Sequence, residues 1–405
     1  MTVGLVELPL MPAVAGVRWG RAAAGIKRPG RHDVALMEIA AGASVAAVYT
    51  LNAFCAAPVV VAKHHGAVAT PRYLLINSGN ANAGTGEPGM RAAEASCAAV
   101  AAVTGCAAEE VLPFSTGVIG ELLPVAKIEA VLPQAWESLT ADGWADAARS
   151  IMTTDTVPKG ATRQLVVQGK AITINGIAKG SGMICPNMAT MLGYVATDAG
   201  VDQTLLQQLI KQAADSSFNC ITVDGDTSTN DACVLVATDK AGVRFSSASD
   251  VGYAEFAAAV IDVCQVLAQS IIRDGEGATK YITVDVRGGI SESECRQVAY
   301  TVAHSPLVKT AFFASDPNWG RILAAVGRAG VEGLEVSKID IFLGDVSIVR
   351  GGARDPSYTE AAGQTVMKQS EIVIRIELAR GNAAAQIWTT DFSYDYVKIN
   401  AEYRS

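Results

Sequence analysis

Short runs of strand-forming residues, each bounded by Gly, Pro, Asn or Asp, dominate this chain and most limit the folds open to it. Clear examples are the runs 73–77, 165–167, 232–236, 281–284 and 372–376. Gly169 and Lys170 separate the runs 164–168 and 171–174, which predicts a tight β-hairpin.

Long amphipathic segments lie among these strands. Asp202 is predicted as a helix N-cap, because the apolar residues of 205–213 that follow it share one helical face. The run 256–267 has the same periodicity, and the Ala-rich stretch 91–103, closed by Gly105, predicts a third helix. Strands mixed with long helices predict a layered α+β architecture.

Composition narrows the function. The 405 residues carry a net charge of −8 and contain no Lys/Arg-rich run, which argues against nucleic-acid binding. Aromatic residues make up only 6% of the chain, so we expect a core packed mainly by small aliphatic side chains. A chain of this length predicts two to three domains.

The eight cysteines show no C-x-x-C spacing and the chain has only four histidines, so we expect no metal site and reduced core thiols. No secretory signal pattern opens the chain, and no uncharged apolar run approaches the ~20 residues of a membrane span. We therefore expect a cytoplasmic protein that does not bind membranes.

The stretch 179–192 contains the pair Ala189-Thr190 after a turn rich in Gly and Pro. A threonine hydroxyl is a weak nucleophile unless a base lies beside it, and cleavage just before the threonine frees its own α-amine for that task. Such an amine titrates near ~7.7–8.0 and needs no histidine. The pattern alone, however, favours an ordinary strand or core threonine.

Eight further blocks accompany this stretch in order along the chain. They are residues 23–27, 77–83, 115–120, 152–156, 224–231, 273–278, 315–321 and 399–405. Together with Ala-Thr-Met-Leu at 189–192, they resemble the ornithine acetyltransferase (glutamate N-acetyltransferase) family of arginine biosynthesis, whose precursors cleave themselves at an Ala-Thr bond.

The resemblance implies a layered α/β/β/α-type sandwich and a cut between Ala189 and Thr190. The products are an alpha chain, 1–189, and a beta chain, 190–405, with two of each expected to assemble. The implied reaction moves an acetyl group from N2-acetyl-L-ornithine to L-glutamate through a Thr190 ester. No cofactor is implied, and acetyl-CoA serves some members only as a co-substrate.

The family's oxyanion hole corresponds to Thr116 and Gly117, which the sequence alone would assign to a polar structural turn. A threonine hydroxyl and a glycine N–H are both suitable donors to a developing oxyanion. The resemblance makes Thr153 a substrate contact, with Thr154 and Thr156 as open alternatives in the same run.

The remaining substrate-binding positions implied by the family are Lys179, Glu276, Asn400 and Ser405. Lys179 is a candidate partner for the substrate α-carboxylate, although a lone lysine is usually solvated. Glu276 is expected to hold the substrate amino group or assist proton movement. Ser405 replaces the more usual terminal threonine and keeps its hydroxyl.

Other patterns lead to weaker hypotheses. Lys179 with the glycines of 180–182 has the wrong order for a phosphate-binding loop. The aspartates of 224–231 lack calcium-loop spacing, and we interpret them as structural support. No role is assigned to Asp316, Asn318 and Arg321. The rival functions are an N-terminal-nucleophile amidohydrolase or aminopeptidase, and a self-processing binding module.

Overall fold

The computed structural model describes residues 2–5, 7–185 and 191–402. The strands are β1 (Val17–Ala22), β2 (Val34–Ile39), β3 (Ser44–Tyr49), β4 (Tyr73–Asn80), β5 (Val111–Val118), β6 (Lys159–Val167), β7 (Lys170–Lys179), β8 (Leu192–Thr197), β9 (Gly200–Val201), β10 (Ile221–Thr222), β11 (Ala232–Ala237), β12 (Arg244–Phe245), β13 (Tyr281–Gly289), β14 (Asp340–Leu343), β15 (Val346–Arg350), β16 (Ala353–Arg354), β17 (Glu371–Glu377) and β18 (Ala383–Thr390). The α-helices are α1 (Ala57–Val68), α2 (Gly86–Thr104), α3 (Val125–Glu137), α4 (Trp144–Ser150), α5 (Gln203–Asp215), α6 (Tyr253–Arg273), α7 (Glu292–Ala303), α8 (Pro306–Phe313), α9 (Trp319–Gly327), α10 (Glu360–Met367) and α11 (Tyr394–Ala401). Short 3-10 helices cover Ala108–Glu110, Phe218–Cys220 and Val336–Lys338.

The chain forms two compact units. The sandwich unit comprises the described parts of Glu7–Asn219 and Asp226–Ile271. The single-sheet unit comprises the described parts of Met1–Val6, Cys220–Gly225 and Ile272–Ser405. The predicted division into 1–189 and 190–405 concerns a covalent cut, does not coincide with these units, and stays a prediction.

Two sheets face each other in the sandwich unit, with strand orders β1-β2-β4-β5 and β3-β11-β8-β7-β6. Successive side chains of a strand point to opposite faces. In β2, Met37 therefore packs against the second sheet, whereas Leu36 packs toward α1, α2 and α3. This alternation places one hydrophobic core between the sheets and another under the three helices.

Aromatic side chains occupy the centre of the core between the sheets. Trp19 contacts Trp144 and Tyr194 edge-on, with ring centroids 5.6 and 5.9 Å apart, and Phe114 contacts Tyr194 in the same way at 5.4 Å. The expectation of small aliphatic packing holds for most of this core. It is wrong at the centre of the core, because four of the chain's aromatic side chains are clustered there.

Helices α5 and α6 cover the outer face of the second sheet. A methyl group added to Gly176 of β7 would lie 2.8 Å from side-chain atoms of Val263 and Leu267, so α6 lies directly on that strand. By length and composition alone α6 would also suit a membrane span, but core helices of soluble proteins pass the same test. The unit thus has four layers, and the predicted α+β sandwich is confirmed.

The single-sheet unit contains a seven-stranded mixed sheet of order β10-β18-β13-β17-β14-β15-β16. Its interior strand β13 pairs antiparallel with β18 and parallel with β17. Val284 and Val286 of β13 are fully buried, as are Val298 and Val302 of α7, the helix that packs on β13 and β18.

Two local predictions need correction. The predicted hairpin is present, but Val167 pairs with Lys170, so the turn residues are Gln168 and Gly169, with φ of 53° and 75°. Positive φ at both positions gives the type I′ turn that suits a two-residue hairpin. Asp202 occupies the N-cap position of α5 without capping it, because its carboxylate accepts a hydrogen bond from Arg244 at 2.7 Å.

The aromatic cluster yields a stability prediction. Phe114→Ala should lower the free energy of unfolding by about 3–5 kcal/mol, because the cavity it leaves lies between two sheets that cannot close on it. The matched control is Phe54→Ala, since Phe54 is 70% exposed in the same unit. Urea unfolding followed by circular dichroism measures both, and equal midpoints would contradict the prediction.

Candidate active site

Thr116 and Gly117 lie near the end of β5, where this strand runs parallel to β4. Gly117 has φ of 136°, and a Cβ atom there would lie 2.3 Å from the carbonyl carbon of Gly79. No larger residue fits so close to a neighbouring backbone. The interpretation of this segment as a polar turn is therefore wrong: it is a strand end whose backbone only glycine can complete.

Buried amide side chains hold this strand end. The Ser115 hydroxyl donates to Asn77 Oδ1 at 2.6 Å, and Asn230 Nδ2 donates to the carbonyls of Ser115 and Ala81 at 3.0 and 2.6 Å. In the sequence these residues stand out only as parts of the family blocks. The sequence feature that indicates their role is the clustering of Asn and Ser beside glycines. Such polar side chains, when buried, form hydrogen bonds with the neighbouring backbone.

Lys179 ends β7 and is only 9% exposed, so it is not the solvated surface lysine that composition alone would favour. Its Nζ donates to Thr116 Oγ1 at 3.2 Å. The structure thus brings together the predicted oxyanion donor Thr116 and the predicted carboxylate partner Lys179. A buried ammonium with hydroxyl donors beside it is well suited to an anionic group.

Asp155, which the sequence analysis missed, organises the segments around this pair. Its Oδ1 accepts hydrogen bonds from Lys159 Nζ at 2.6 Å and from the Gly180 amide at 2.7 Å. Its Oδ2 accepts from the Thr153 amide at 2.9 Å. Burial opposes ionisation of the carboxyl, but the charges of Lys159 and Lys179 outweigh it and hold the pKa of Asp155 well below its usual range.

Asp155 therefore fixes the backbone at Thr153 and at the corner after Lys179. Thr153 is half-buried beside it. Of the two alternatives, Thr154 shares a 2.8 Å hydrogen bond with Ser181, which ties it to the same corner, and Thr156 is exposed.

The single-sheet unit contains two more of the predicted substrate-binding residues, Glu276 and Asn400. Glu276 is 6% exposed, and its Oε2 accepts a hydrogen bond from Asn400 Nδ2 of α11 at 2.9 Å. The Ser393 hydroxyl at the start of α11 donates to the Gly277 carbonyl at 2.6 Å, which anchors the helix on the turn containing Glu276. The structure thus brings Glu276 and Asn400 together.

Three predicted site residues, Ala189, Thr190 and Ser405, lie outside the described residues. The first described residue after Thr190 is Met191, which is buried and precedes β8. Its carbonyl accepts the Ala232 amide at 3.0 Å. The backbone of the residue after Thr190 is therefore hydrogen-bonded to β11 of the second sheet of the sandwich.

The interpretation of the aspartate loop as structural support stays a prediction, whereas Asn318 and Arg321 have structural contacts. Across residues 2–5, 7–185 and 191–402, no three His, Cys, Asp or Glu side chains are grouped to hold a metal ion. Asn318 caps α9 by accepting the Arg321 amide, and the Arg321 guanidinium donates to the Leu307 carbonyl at 2.8 Å. These contacts account for Asn318 and Arg321 without a catalytic role.

The fold and the site together define a class of enzymes. Its members have an α/β/β/α sandwich with buried polar side chains around the end of one strand. The model of the ArgJ family matches residues 18–405. A relative from Pseudomonas syringae pv. tomato, an arginine biosynthesis bifunctional protein ArgJ, is 60% identical over 406 residues and covers 100% of both chains. Another of the same name from Methylococcus capsulatus is 58% identical over 99% of this chain and 98% of its own.

A crystal structure of arginine biosynthesis bifunctional protein argJ from Bacillus halodurans is 38% identical, with a TM-score of 0.49, and the match covers 50% of this chain and 95% of that chain. The chain belongs to the ArgJ family, as the family model and the full-length relatives show. The sequence-based prediction of an arginine-biosynthesis enzyme acting on small molecules is confirmed.

The buried ion pair yields a prediction with a defined pH dependence. Asp155→Asn leaves Lys159 buried without a counter-charge and should cost about 3–5 kcal/mol of stability at neutral pH. Because the pKa of Asp155 is depressed in the folded protein, its contribution is fully present above the unfolded-state pKa of about 3.9 and is lost progressively as the pH falls from there toward the depressed folded-state pKa.

Urea midpoints at pH 7 and near pH 3 measure this effect, and the difference between wild type and Asp155→Asn should narrow at the lower pH. The exposed Asp142→Asn is the matched control and should leave both midpoints unchanged. A difference that persists undiminished at low pH would contradict the assigned charge state.

Proposed function

We propose that this chain is an ornithine acetyltransferase that moves the acetyl group of N2-acetyl-L-ornithine to L-glutamate through Thr190. Family membership supports the reaction. The observation that carries its assignment to these residues is the buried Lys179 ammonium, 3.2 Å from the Thr116 hydroxyl at the glycine-bounded strand end.

Maturation comes first in this proposal. The Thr190 hydroxyl attacks the carbonyl carbon of Ala189, and the peptide C–N bond breaks as an ester forms. Water then hydrolyses the ester, which leaves a carboxylate on Ala189 and a free α-amine on Thr190. That amine becomes the base for its own hydroxyl.

Acetyl transfer then proceeds in two half-reactions. Thr190 Oγ1 attacks the acetyl carbonyl while the α-amine takes the hydroxyl proton, and ornithine leaves with that proton on its own nitrogen. The amine of glutamate then attacks the Thr190 ester and regenerates the hydroxyl. The Thr116 hydroxyl and Gly117 N–H stabilise each oxyanion, and one such donor is typically worth ~2.7–4 kcal/mol.

We assign substrate binding to the charged and polar side chains that the family resemblance indicates. Lys179 pairs with the α-carboxylate that both substrates carry, and Thr153 contacts the substrate beside it. Glu276, Asn400 and Ser405 bind the remaining polar groups, with the Glu276–Asn400 hydrogen bond setting the position of the carboxylate.

The further parts of the proposal follow the family. Acetyl-CoA is proposed as a second acetyl donor, because the full-length relatives are named bifunctional. No prosthetic group is required by the steps above. Two alpha and two beta chains are proposed to assemble in the cytoplasm. An amidohydrolase of related architecture would release free acetate instead of N-acetylglutamate, which product analysis distinguishes.

Variants at Thr190 test the covalent route. Thr190→Ala should remain one chain and lose transfer, because the hydroxyl serves both maturation and catalysis. Thr190→Ser keeps the hydroxyl and should still cleave, with reduced activity. A denaturing gel, N-terminal sequencing of the beta chain and an acetylglutamate assay measure this. An uncleaved wild-type chain with full activity would rule the mechanism out.

A second pair of variants separates oxyanion stabilisation from substrate binding. Thr116→Val removes one donor with little change of shape, so kcat and kcat/KM should fall together by about 10²–10³-fold. Lys179→Met should instead raise KM for both N-acetylornithine and glutamate. Rates are expressed per mole of cleaved enzyme, because Lys179 lies only eleven residues before Thr190 and its replacement can also slow cleavage. Unchanged KM values in Lys179→Met would contradict its role.

A further inference from the structure

A buried carboxyl group with an unpaired oxygen lies just before β11. Asp231 is 3% exposed, and no group within the described residues donates a hydrogen bond to its Oδ2. A buried polar atom left without a partner typically costs ~1–3 kcal/mol. Such an atom calls for a physical explanation, because nearly all buried polar groups in folded proteins are hydrogen-bonded.

Asp231 lies beside the segment that follows the proposed cleavage site. Strands β11 and β8 run parallel with Ala232 opposite Leu192, and the Ala232 amide donates to the Met191 carbonyl at 3.0 Å. Asp231 is therefore next to Met191, the residue bonded to Thr190.

The charged surroundings of Asp231 come from other elements. Burial raises the pKa of its carboxyl well above the usual range, while hydrogen bonding by Ser228 and the charge of Lys179 on β7 act in the opposite direction. Burial raises the pKa of Cys55, in the loop before α1, and the charge of Asp231 acts in the same direction. The uncleaved chain thus holds a carboxyl group near Lys179 whose second oxygen has no donor.

Cleavage between Ala189 and Thr190 changes the hydrogen-bond donors that the nitrogen of residue 190 provides. In the intact chain the nitrogen of residue 190 is a planar amide with a single N–H. After cleavage it is an α-amine with several N–H donors and, when protonated, a positive charge. The new group arises one residue from Met191, and it is the kind of partner that the unpaired Asp231 oxygen lacks.

We propose that Asp231 is a positioning residue for the α-amine of mature Thr190. Its Oδ2 accepts a hydrogen bond from that amine and so orients the amine lone pair toward the Thr190 hydroxyl. Although burial disfavours ionisation of Asp231, a protonated amine beside it favours the carboxylate form, and that carboxylate in turn favours the protonated amine, whereas the Lys179 ammonium opposes amine protonation. This inference rests on the self-cleavage in the proposed function and adds a residue that sets the geometry and basicity of its base.

The test compares Asp231→Ala and Asp231→Asn in the full-length protein. A denaturing gel gives the cleaved fraction, and steady-state kinetics per mole of cleaved enzyme give kcat, KM for both substrates, and the pH dependence of kcat/KM. Cleaved Asp231→Ala should lose about 100-fold in kcat through a misplaced base, with both KM values within about twofold of wild type. Asp231→Asn, which keeps an acceptor oxygen, should recover part of that loss.

The pH profile separates positioning from a structural role. Removing the carboxylate in Asp231→Asn should lower the amine pKa, so the acid limb of kcat/KM should move down by about one pH unit. Asp198→Asn is the matched control: Asp198 is a buried carboxyl after the far end of β8, where it accepts the Thr173 amide at 2.8 Å. It should leave kcat and the acid limb unchanged.

Three outcomes would overturn the proposal. They are a kcat within about threefold of wild type in cleaved Asp231→Ala, a reduced kcat in Asp231→Asn without movement of the acid limb, and failure of both variants to cleave or fold. The last outcome would place the role of Asp231 in the intact chain. Failure of the proposed function is distinguishable, because the wild-type protein would then itself remain uncleaved or form no acetylglutamate.

Discussion

The buried carboxylate of Asp155 joins the segments that form the candidate active site. It accepts hydrogen bonds from the Lys159 ammonium and from the amides of Thr153 and Gly180. Because a buried charge is tolerated only with partners in good geometry, these three contacts fix the corner that follows Lys179. The position of the Lys179 ammonium, and with it the electrostatics beside Thr116, depends on this arrangement.

A different constraint acts on the opposing sheet. At Gly117 the backbone of β5 comes so close to Gly79 of β4 that no side chain fits, and the Asn77, Ser115 and Asn230 hydrogen bonds hold the strand end in that position. The donors that the proposed mechanism uses are therefore set before substrate arrives. Preorganised donors of this kind stabilise charge more effectively than donors that must reorient during the reaction.

The ordered motif blocks were sufficient to predict the family and the α+β sandwich. They indicated Glu276 and Asn400 as separate substrate-binding positions, but not the hydrogen bond between them. Asn230 was not recognised, because its partners Ser115 and Ala81 lie more than a hundred residues earlier in the sequence. Asp155 was not recognised because its burial and its hydrogen bond with the Gly180 amide arise only in the folded chain. Asp202 failed as a helix cap for a related reason. Local propensity placed it correctly at the N-cap, but Arg244 competes for the carboxylate.

The sequence by itself determined the periodicities of strands and helices, the hairpin near Gly169 and the identity of the chemical groups, because these depend on neighbouring residues and on motifs carried within single segments. Only the tertiary structure decided which groups are buried together. The burial of Lys179 beside Thr116, the charge state of Asp155 and the unpaired oxygen of Asp231 arise from packing between segments distant in the chain. Desolvation and Coulomb interactions act through space, so no local pattern in the sequence encodes them.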